Sequence, residues 1–261
     1  MDVRSYNRQA WDRQVALGNE WTRPVGPDVI ARARGGDWSV VLTAVKPVPA
    51  AWFPPLAGKD VLGLACGGGQ QGPIFAAAGA RVTILDNSPA QLRQDLLVAA
   101  RERLHIRAVE GDMADLSPFA DGSFDVVFHP ISNVFAPAVR PVYAEAYRVL
   151  RPGGVLLAGF MNPDVYIFDL EAIDLRGELI VTHGLPYSDL ANLPPAQLRR
   201  AMEEGRALEH SHTLEDQIGG QCDAGFIITA FYEDRFSAES GDVPSRYMPA
   251  FYATRAVKPP A

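Results

Sequence analysis

The chain has 261 residues, of which 48% are hydrophobic and 21% charged, and its formal net charge is −7. This composition is typical of a soluble protein with a full core, built as one large domain or one domain with an insertion. Without a block of Lys or Arg, the acidic chain is a poor partner for duplex nucleic acid or an anionic membrane. No run approaches the ~18 apolar residues of a membrane span and no signal peptide is evident, which predicts a cytoplasmic protein.

Residues 1–57 are predicted to form an N-terminal cap. An amphipathic pattern indicates a helix from Ser5 to Leu17, and a second helix is predicted for residues 27–34. Three aromatic residues of this segment allow two interpretations: they pack the cap onto the rest of the protein, or they help to close a ligand site. They are Tyr6, Trp11 and Trp38.

Residues 60–72 carry the most informative local pattern. The apolar run from Val61 to Ala65 predicts a buried strand, and three glycines at positions 67–69 interrupt it before a predicted helix at about 70–78. A second predicted strand ends on Asp86, about 20 residues after the glycines, where a carboxylate can accept ribose hydroxyls. The glycines fit G-x-G-x-x-G, but that pattern alone does not separate a dinucleotide site from other nucleoside cofactor sites.

The rest of the chain predicts an α/β fold. Strands are predicted at 60–65, 81–86, 104–109, 124–129 and 154–160, alternating with helices at 70–78, 88–102 and 138–149. Residues 162–224 break the alternation and are interpreted as an insertion, with helices near 195–204 and 213–224. Two further strands, 226–232 and 248–254, follow, and the last is placed antiparallel at the sheet edge. The predicted fold class is a three-layer, doubly wound, mostly parallel seven-stranded sheet of the Rossmann-like type.

Two downstream motifs carry a family resemblance. They are Gly111-Asp112-Met113, after the third strand, and Leu150-Arg-Pro-Gly-Gly154, before the fifth. In this order and spacing, residues 58–160 resemble the class I S-adenosylmethionine-dependent methyltransferases, in particular the bacterial small-molecule group. The resemblance implies a cofactor-binding domain at residues 58–261 and S-adenosyl-L-methionine as the cofactor.

The resemblance also implies roles for individual residues. Ala65, Gly67 and Gly69 would pack against the amino-acid end of the cofactor, and Asp86 with Asn87 would meet the ribose. Asp112 would bind the adenine amino group, Met113 would flank the ring, and His129 would lie near the methyl group. The family's usual acidic residue before the first glycine is missing, since the sequence there is Ala65-Cys66-Gly67. Gln70, Gln71 or a residue of the cap is expected to replace it.

Methyl transfer needs mainly alignment and exclusion of water, with a base only where the acceptor loses a proton. His129 is either such a base or a residue that only shapes the pocket, and His212 is the second catalytic candidate. Asn133, His210, His212 and Gln217 are predicted to contact the acceptor, together with the three cap aromatics. No metal site is predicted. Residues 129–135 lack the Asp/Asn-Pro-Pro-aromatic signature of enzymes that methylate amide or nucleobase amino groups.

The leading hypothesis is methyl transfer to a small-molecule acceptor enclosed by the cap and residues 162–224. Two alternatives stay open at this point. One is a protein that binds S-adenosylmethionine without transferring the methyl group, and the other is a nicotinamide-dependent oxidoreductase that uses the G-x-G-x-x-G turn.

Overall fold

The computed structural model describes residues 1–260. Seven strands within this range form one sheet: β1 (Asp60–Leu64), β2 (Arg81–Asp86), β3 (Ile106–Glu110), β4 (Phe124–His129), β5 (Leu150–Met161), β6 (Ile227–Asp234) and β7 (Phe251–Val257). Their order across the sheet is β3-β2-β1-β4-β5-β7-β6. Strands β1 to β5 are parallel, whereas β7 runs antiparallel to both β5 and β6. The predicted mostly parallel seven-stranded sheet is confirmed.

Helices cover both faces of the sheet. They are α1 (Val3–Leu17), α2 (Pro27–Arg34), α3 (Gln71–Ala77), α4 (Pro89–Glu102), α5 (Arg140–Val149), α6 (Leu170–Arg176), α7 (Asp189–Asn192), α8 (Pro195–Glu204) and α9 (Gly220–Asp223). Short 3-10 turns lie at Glu20–Thr22, Ala50–Trp52, Asn133–Phe135, Pro163–Ile167, Ala238–Ser240 and Pro244–Arg246, and a π-helical turn at Glu215–Gly219. In the part of the chain that the structure describes, no helix has the length and apolar character needed to cross a membrane.

The three layers follow from the alternation of side chains along each strand. Val61 packs into a cluster that contains Phe75 of α3, and its neighbour Leu62 packs into the opposite cluster, with Tyr143 of α5. All four side chains are fully buried. Neighbouring strand residues point to opposite faces, so a strand that is apolar throughout requires cover on both sides.

The last strand differs from the prediction in position and start. The predicted strand 248–254 at the sheet edge is wrong: β7 begins at Phe251 and lies between β5 and β6. The edge position belongs to β6. An interior strand uses its backbone N–H groups on both sides, so Pro249 stays outside the strand. The antiparallel direction of β7 is confirmed.

Helix α1 lies across the carboxyl ends of β2 and β3. Its Asp12 carboxylate accepts hydrogen bonds from the Ser88 hydroxyl at 2.6 Å and from the Ala90 amide at 3.0 Å, at the start of α4. Arg8 pairs with Glu110 at 2.9 Å at the end of β3. The first helix is therefore fixed above the edge of the sheet where ligands of parallel α/β folds bind.

The segment 162–224 completes the cover. The predicted helix near 195–204 is confirmed as α8, whereas the one near 213–224 is a π-helical turn that continues into α9. The Asn7 side chain of α1 accepts a hydrogen bond from the Leu208 amide at 2.8 Å and donates one to the Leu208 carbonyl at 2.9 Å. The N-terminal helix and the insertion are thus joined to each other as well as to the sheet.

Candidate functional site

A cavity of about 560 Å³ opens at the carboxyl ends of the parallel strands, beneath α1. It lies where β1 and β4 are neighbours, the point at which the strand order reverses direction. We call one part of its wall the carboxylate side, formed by Ala65, Gly67, Asp86, Asp112 and Met113. The other part, the apolar side, is formed by Leu42, Ile131, Met161, Tyr166, Phe236 and Phe251. One cavity therefore joins a polar strand-end site to an apolar compartment.

The backbone of Gly67 forms the floor of the carboxylate side. A Cβ atom at this position would lie 2.6 Å from the Cβ of Gln91 and 2.9 Å from a carboxylate oxygen of Asp86. Ala65, two residues earlier, adopts a φ of 47°, a strained conformation for a residue with a side chain. The chain bends sharply here, so a ligand could lie directly against the main chain.

Asp86 connects the end of β2 to the glycine turn. One carboxylate oxygen accepts a hydrogen bond from the Gly67 amide at 2.9 Å, and the other accepts one from the Ser88 amide at 2.9 Å. Burial raises the pKa of Asp86 to about 6, although these amide bonds favour the ionised form. Ionised and held at both oxygens, this carboxylate could accept two neighbouring hydroxyl groups of a ligand.

Asp112 holds a corresponding position after β3. Its carboxylate accepts a hydrogen bond from the Ala114 amide at 2.9 Å and lies 3.6 Å from the guanidinium of Arg4. Arg4 belongs to α1, and its carbonyl also accepts a hydrogen bond from the Asn87 side chain at 2.9 Å. The covering helix is thus attached to the residues that would meet a bound nucleoside.

Asp95 lies beneath the glycine turn and is fully buried. Neither of its carboxylate oxygens reaches a hydrogen-bond partner within residues 1–260. Loss of hydration raises the pKa of Asp95 to about 8, although the nearby backbone amides of Gly69 and Gly68 act in the opposite direction. An unpaired buried carboxylate favours its neutral form, so Asp95 holds its proton at neutral pH.

We expect Asp95→Asn to raise the stability of the protein at pH 8. The folded state holds a proton on Asp95 that the unfolded state releases above its ordinary pKa of 3.8. Asp95 therefore lowers the free energy of unfolding progressively as pH rises from about 4 toward about 8. The amide should recover about 1–2 kcal/mol at pH 8 and nothing near pH 4. Urea unfolding at both pH values measures this, with exposed Asp174→Asn as the control. Equal effects of the substitution at the two pH values would contradict the raised pKa of Asp95 in the folded protein.

The cavity brings together part of the predicted site. Eight of the predicted residues line it: Ala65, Gly67, Gln71, Asp86, Asn87, Asp112, Met113 and Trp11. Trp11 lies edge-on to Phe135, with ring centroids 5.2 Å apart, so of the three cap aromatics it is the one that closes the cavity. Gln70, which was expected as a substitute for the missing acidic residue, lines it too.

His129 lies outside the cavity wall, whereas both alternatives for it, a base and a residue that only shapes the pocket, placed it beside the ligand. It is fully buried, its Nδ1 is 2.9 Å from the Leu64 carbonyl, and its Nε2 contacts the Asn133 side chain. Asn133 continues this network to Tyr143 and to Gln217, at 3.1 and 3.0 Å. Burial lowers the pKa of His129, which keeps the ring neutral. These residues hold β4, α5 and the insertion together instead of facing a ligand.

His212 and His210 are also placed away from the wall. His212 is buried, and its Nε2 lies 3.0 Å from the carbonyl of Asn133. His210 joins the same region through its backbone amide, which donates to the Val134 carbonyl at 2.7 Å. Burial lowers the pKa of both rings. Their geometry favours a structural role over contact with an acceptor.

Three more predicted residues face other neighbours. The Tyr6 hydroxyl donates to the carbonyl of Arg206 at 2.9 Å, and Trp38 packs edge-on against Phe53, with centroids 5.1 Å apart. Gly69 faces the backbone of Gln94, which a Cβ atom there would approach to 2.8 Å. For Tyr6 and Trp38 the packing interpretation is therefore the one that fits.

Sequence reasoning missed most of the apolar side. Its residues come from six separate stretches of the chain, and they are Leu42, Ile131, Met161, Tyr166, Phe236 and Phe251. Met161 ends β5, Phe251 begins β7 and the other four lie outside the strands, all as ordinary apolar residues that no local pattern separates from the core. Arg4, Trp21 and Glu209, which also line the cavity, were missed as well.

Comparison with known proteins gives consistent results. Residues 62–158 match the family described as "Methyltransferase domain". The chain is 51% identical over 254 residues to the "uncharacterized methyltransferase YbaJ" of Bacillus subtilis (strain 168), covering 97% of this chain and 98% of that protein. It is 31% identical over 172 residues to the sterol 24-C-methyltransferase ERG6A of Gibberella zeae, covering 65% of this chain but only 39% of that enzyme.

A solved structure gives the same fold. It is an S-adenosylmethionine-dependent methyltransferase from Mesorhizobium loti, which superposes with a TM-score of 0.60 at 20% sequence identity, covering 79% of this chain and 94% of that one. At this identity the likeness concerns the fold alone.

Proposed function

The chain belongs to the S-adenosylmethionine-dependent methyltransferases, and on that premise we propose that it methylates a small, mainly apolar acceptor bound in the cavity beneath α1. The observation that carries this proposal is the continuity of the carboxylate side with the apolar side in one cavity. The family also removes the oxidoreductase alternative, because the glycine turn belongs to a methyltransferase and not to a dinucleotide enzyme.

The carboxylate side fits S-adenosylmethionine. Asp86 would hold the ribose hydroxyls, and Asp112 with Met113 would hold the adenine ring. The backbone at Ala65 and Gly67 would lie against the amino-acid end, in a cradle that a Cβ atom on Gly67 would fill. The cofactor has no pyrophosphate, so close backbone approach and placed carboxylates suit it better than a phosphate-binding turn.

The ammonium group of the cofactor needs a substitute for the missing acidic residue. Gln70 and Gln71 both line the cavity next to the glycine turn. The amide of Gln70 already donates to the carbonyls of Glu20 and Arg23, at 3.0 and 3.2 Å. Gln71 makes fewer polar contacts, with only a 3.8 Å approach of its side-chain oxygen to the Cys66 sulfur among residues 1–260. We therefore assign the ammonium contact to the side-chain oxygen of Gln71.

The apolar side sets the class of acceptor. Phe236 and Phe251 meet edge-on with centroids 4.9 Å apart, and Met161 packs beside them. A wall of this kind favours a hydrophobic molecule through burial of its surface. The relationship to a sterol methyltransferase supports an apolar acceptor, although the chain spans well under half of that enzyme.

The residues of this chain would act by position and by exclusion of water. Bound S-adenosylmethionine supplies an activated methyl group, and the protein has to align the acceptor with it. The cap, which we propose comprises residues 1–57, covers the cavity through Arg4 and Trp11, and residues 162–224 contribute Tyr166 and Glu209. The division into this cap and a domain at 58–261, and the cytoplasmic location, stay predictions.

The test is the release of S-adenosylhomocysteine from S-adenosylmethionine in the presence of matched apolar and polar small molecules. We expect release that depends on an acceptor and is confined to the apolar set. Release only with polar acceptors would contradict the assignment of the apolar side. Binding of S-adenosylmethionine without release for any acceptor would favour the non-methylating alternative.

A further inference from the structure

Glu209 lines the cavity next to the apolar side, and among the described residues it is the one carboxylate of the wall besides Asp86 and Asp112. One of its oxygens accepts a hydrogen bond from the Tyr166 hydroxyl at 2.6 Å. The other oxygen accepts no hydrogen bond from residues 1–260 and is not fully buried, and Glu209 lines the cavity. A carboxylate oxygen is therefore available to a molecule in the cavity.

The surroundings of Glu209 fix its position. Its backbone amide donates to Asp189 at 2.9 Å, and the residues on either side are tied down through Leu208 to Asn7 and through His210 to Val134. Tyr166 stacks on Tyr187 with centroids 5.3 Å apart. The carboxylate is thus held by several elements and does not belong to a mobile surface side chain.

Among residues 1–260, no cationic side chain forms an ion pair with the Glu209 carboxylate. The charge of Arg206 acts on Glu209, but its guanidinium lies 3.9 Å from the carboxylate of Asp189, a second acid beside Glu209 that is buried. Arg4, the one cationic residue in the described wall of the cavity, pairs with Asp112 on the carboxylate side. Two acids share one cation, so the cavity wall beside the apolar side keeps an uncompensated negative charge.

A half-buried carboxylate without a counter-ion is costly, and a bound cation would reduce that cost. Loss of hydration and the charge of Asp189 raise the pKa of Glu209, as expected of a carboxyl group that lacks a counter-ion. Aromatic faces in the same wall also favour a positive charge, since a cation is attracted to the π face of a ring. Tyr166 and Phe236 are aromatic residues of this wall.

Resting on the function proposed above, we propose that Glu209 binds a positively charged amine carried by an otherwise apolar acceptor. The hydrocarbon part of the acceptor occupies the apolar side, and its ammonium group donates a hydrogen bond to the free oxygen of Glu209. Glu209 is then the residue that determines acceptor specificity, and Tyr166 orients its carboxylate.

The test is a calorimetric titration of the protein, saturated with S-adenosylhomocysteine, with three probes of equal chain length at pH 7.5. They are octylamine, 1-octanol and octanoate. The wild-type protein should bind the amine about tenfold more tightly than the alcohol, and the carboxylate most weakly. The comparison of the three affinities uses only the wild-type protein, so it tests the proposal even if a substitution disturbs folding. Equal binding of amine and alcohol, or no binding of the amine, would overturn it.

Two variants assign the effect to Glu209. In Glu209→Gln the preference for amine over alcohol should disappear, whereas exposed Glu204→Gln should keep it. Affinity for S-adenosylhomocysteine should be the same in all three proteins. If the affinity for S-adenosylhomocysteine falls in Glu209→Gln alone, this carboxylate contacts the cofactor and the proposal is wrong. Failure of the wild-type protein to bind S-adenosylhomocysteine would instead contradict the proposed cofactor site.

Discussion

Asp86→Ala should weaken the binding of S-adenosylhomocysteine by on the order of 100- to 1000-fold. The substitution removes both oxygens proposed to accept the ribose hydroxyls, and each hydrogen bond to a charged group contributes about 1.5–3 kcal/mol. It also releases the Gly67 and Ser88 amides, which the carboxylate holds at 2.9 Å each. The glycine turn would then lose its fixed position beneath the ligand. Isothermal titration calorimetry measures the change.

The matching control is Asp174→Ala, which removes an exposed carboxylate on α6, away from the cavity wall. Its affinity should equal that of the wild-type protein. Because burial raises the pKa of Asp86 to about 6, the wild-type affinity should also fall as pH drops below about 6, where the carboxylate gains a proton. An Asp86→Ala protein that is folded and binds as tightly as wild type would remove Asp86 from the site.

Gly159→Ala should destabilise the protein by about 3 kcal/mol or more, at the upper end of effects from overpacking. Gly159 lies in β5, and a Cβ atom there would come within 2.1 Å of the Leu42 carbonyl oxygen and 2.7 Å of its carbonyl carbon. Backbone atoms cannot turn aside as a flexible side chain can. The same carbonyl accepts a hydrogen bond from Ile131 at 3.1 Å, so movement of this segment would also disturb two residues of the apolar side.

Thermal unfolding followed by circular dichroism measures this effect. A loss of about 3 kcal/mol corresponds to a fall in Tm of roughly 6–12 °C for a chain of this size. Gly184→Ala is the control, since a Cβ atom at Gly184 meets nothing within 4 Å and its φ is not positive. If the two variants melt within a degree or two of each other, the close contact between β5 and the Leu42 segment is wrong.

Local patterns were sufficient to predict most of the fold. The Ser88 side chain caps α4 by accepting from the Gln91 amide at 3.1 Å, and Pro89 takes the first helical position, as the sequence indicates. Strands β1, β2 and β4 lie where continuous apolar runs place them. The order of β6 and β7 was not predictable in this way, because it depends on which strand pairs with β5 and not on the residues of either strand.

The carboxylate side was accessible to sequence reasoning for a similar reason. Asp86 is the last residue of β2 and Asp112 lies two residues after β3, and residues in such positions reach the same edge of a parallel sheet. Asp86 was predicted from its distance after the glycines, and Asp112 from the family resemblance. His129 also ends a strand, but its ring turns into the protein and bonds to Leu64. Which way a strand-end side chain turns depends on neighbours that are distant in sequence. For the same reason nothing in the sequence singled out Glu209, whose partner Tyr166 is 43 residues away.

The most direct test of the account is a crystal structure of the protein with S-adenosylhomocysteine. We expect the ribose hydroxyls on Asp86, the adenine ring beside Asp112 and Met113, and the amino-acid end against Gly67, with the apolar side left open for an acceptor. The sulfur should then face the compartment that contains Glu209. S-adenosylhomocysteine bound elsewhere would contradict the division of the cavity on which the proposed function depends. The same holds if the ligand fills the apolar side and places its ammonium group on Glu209.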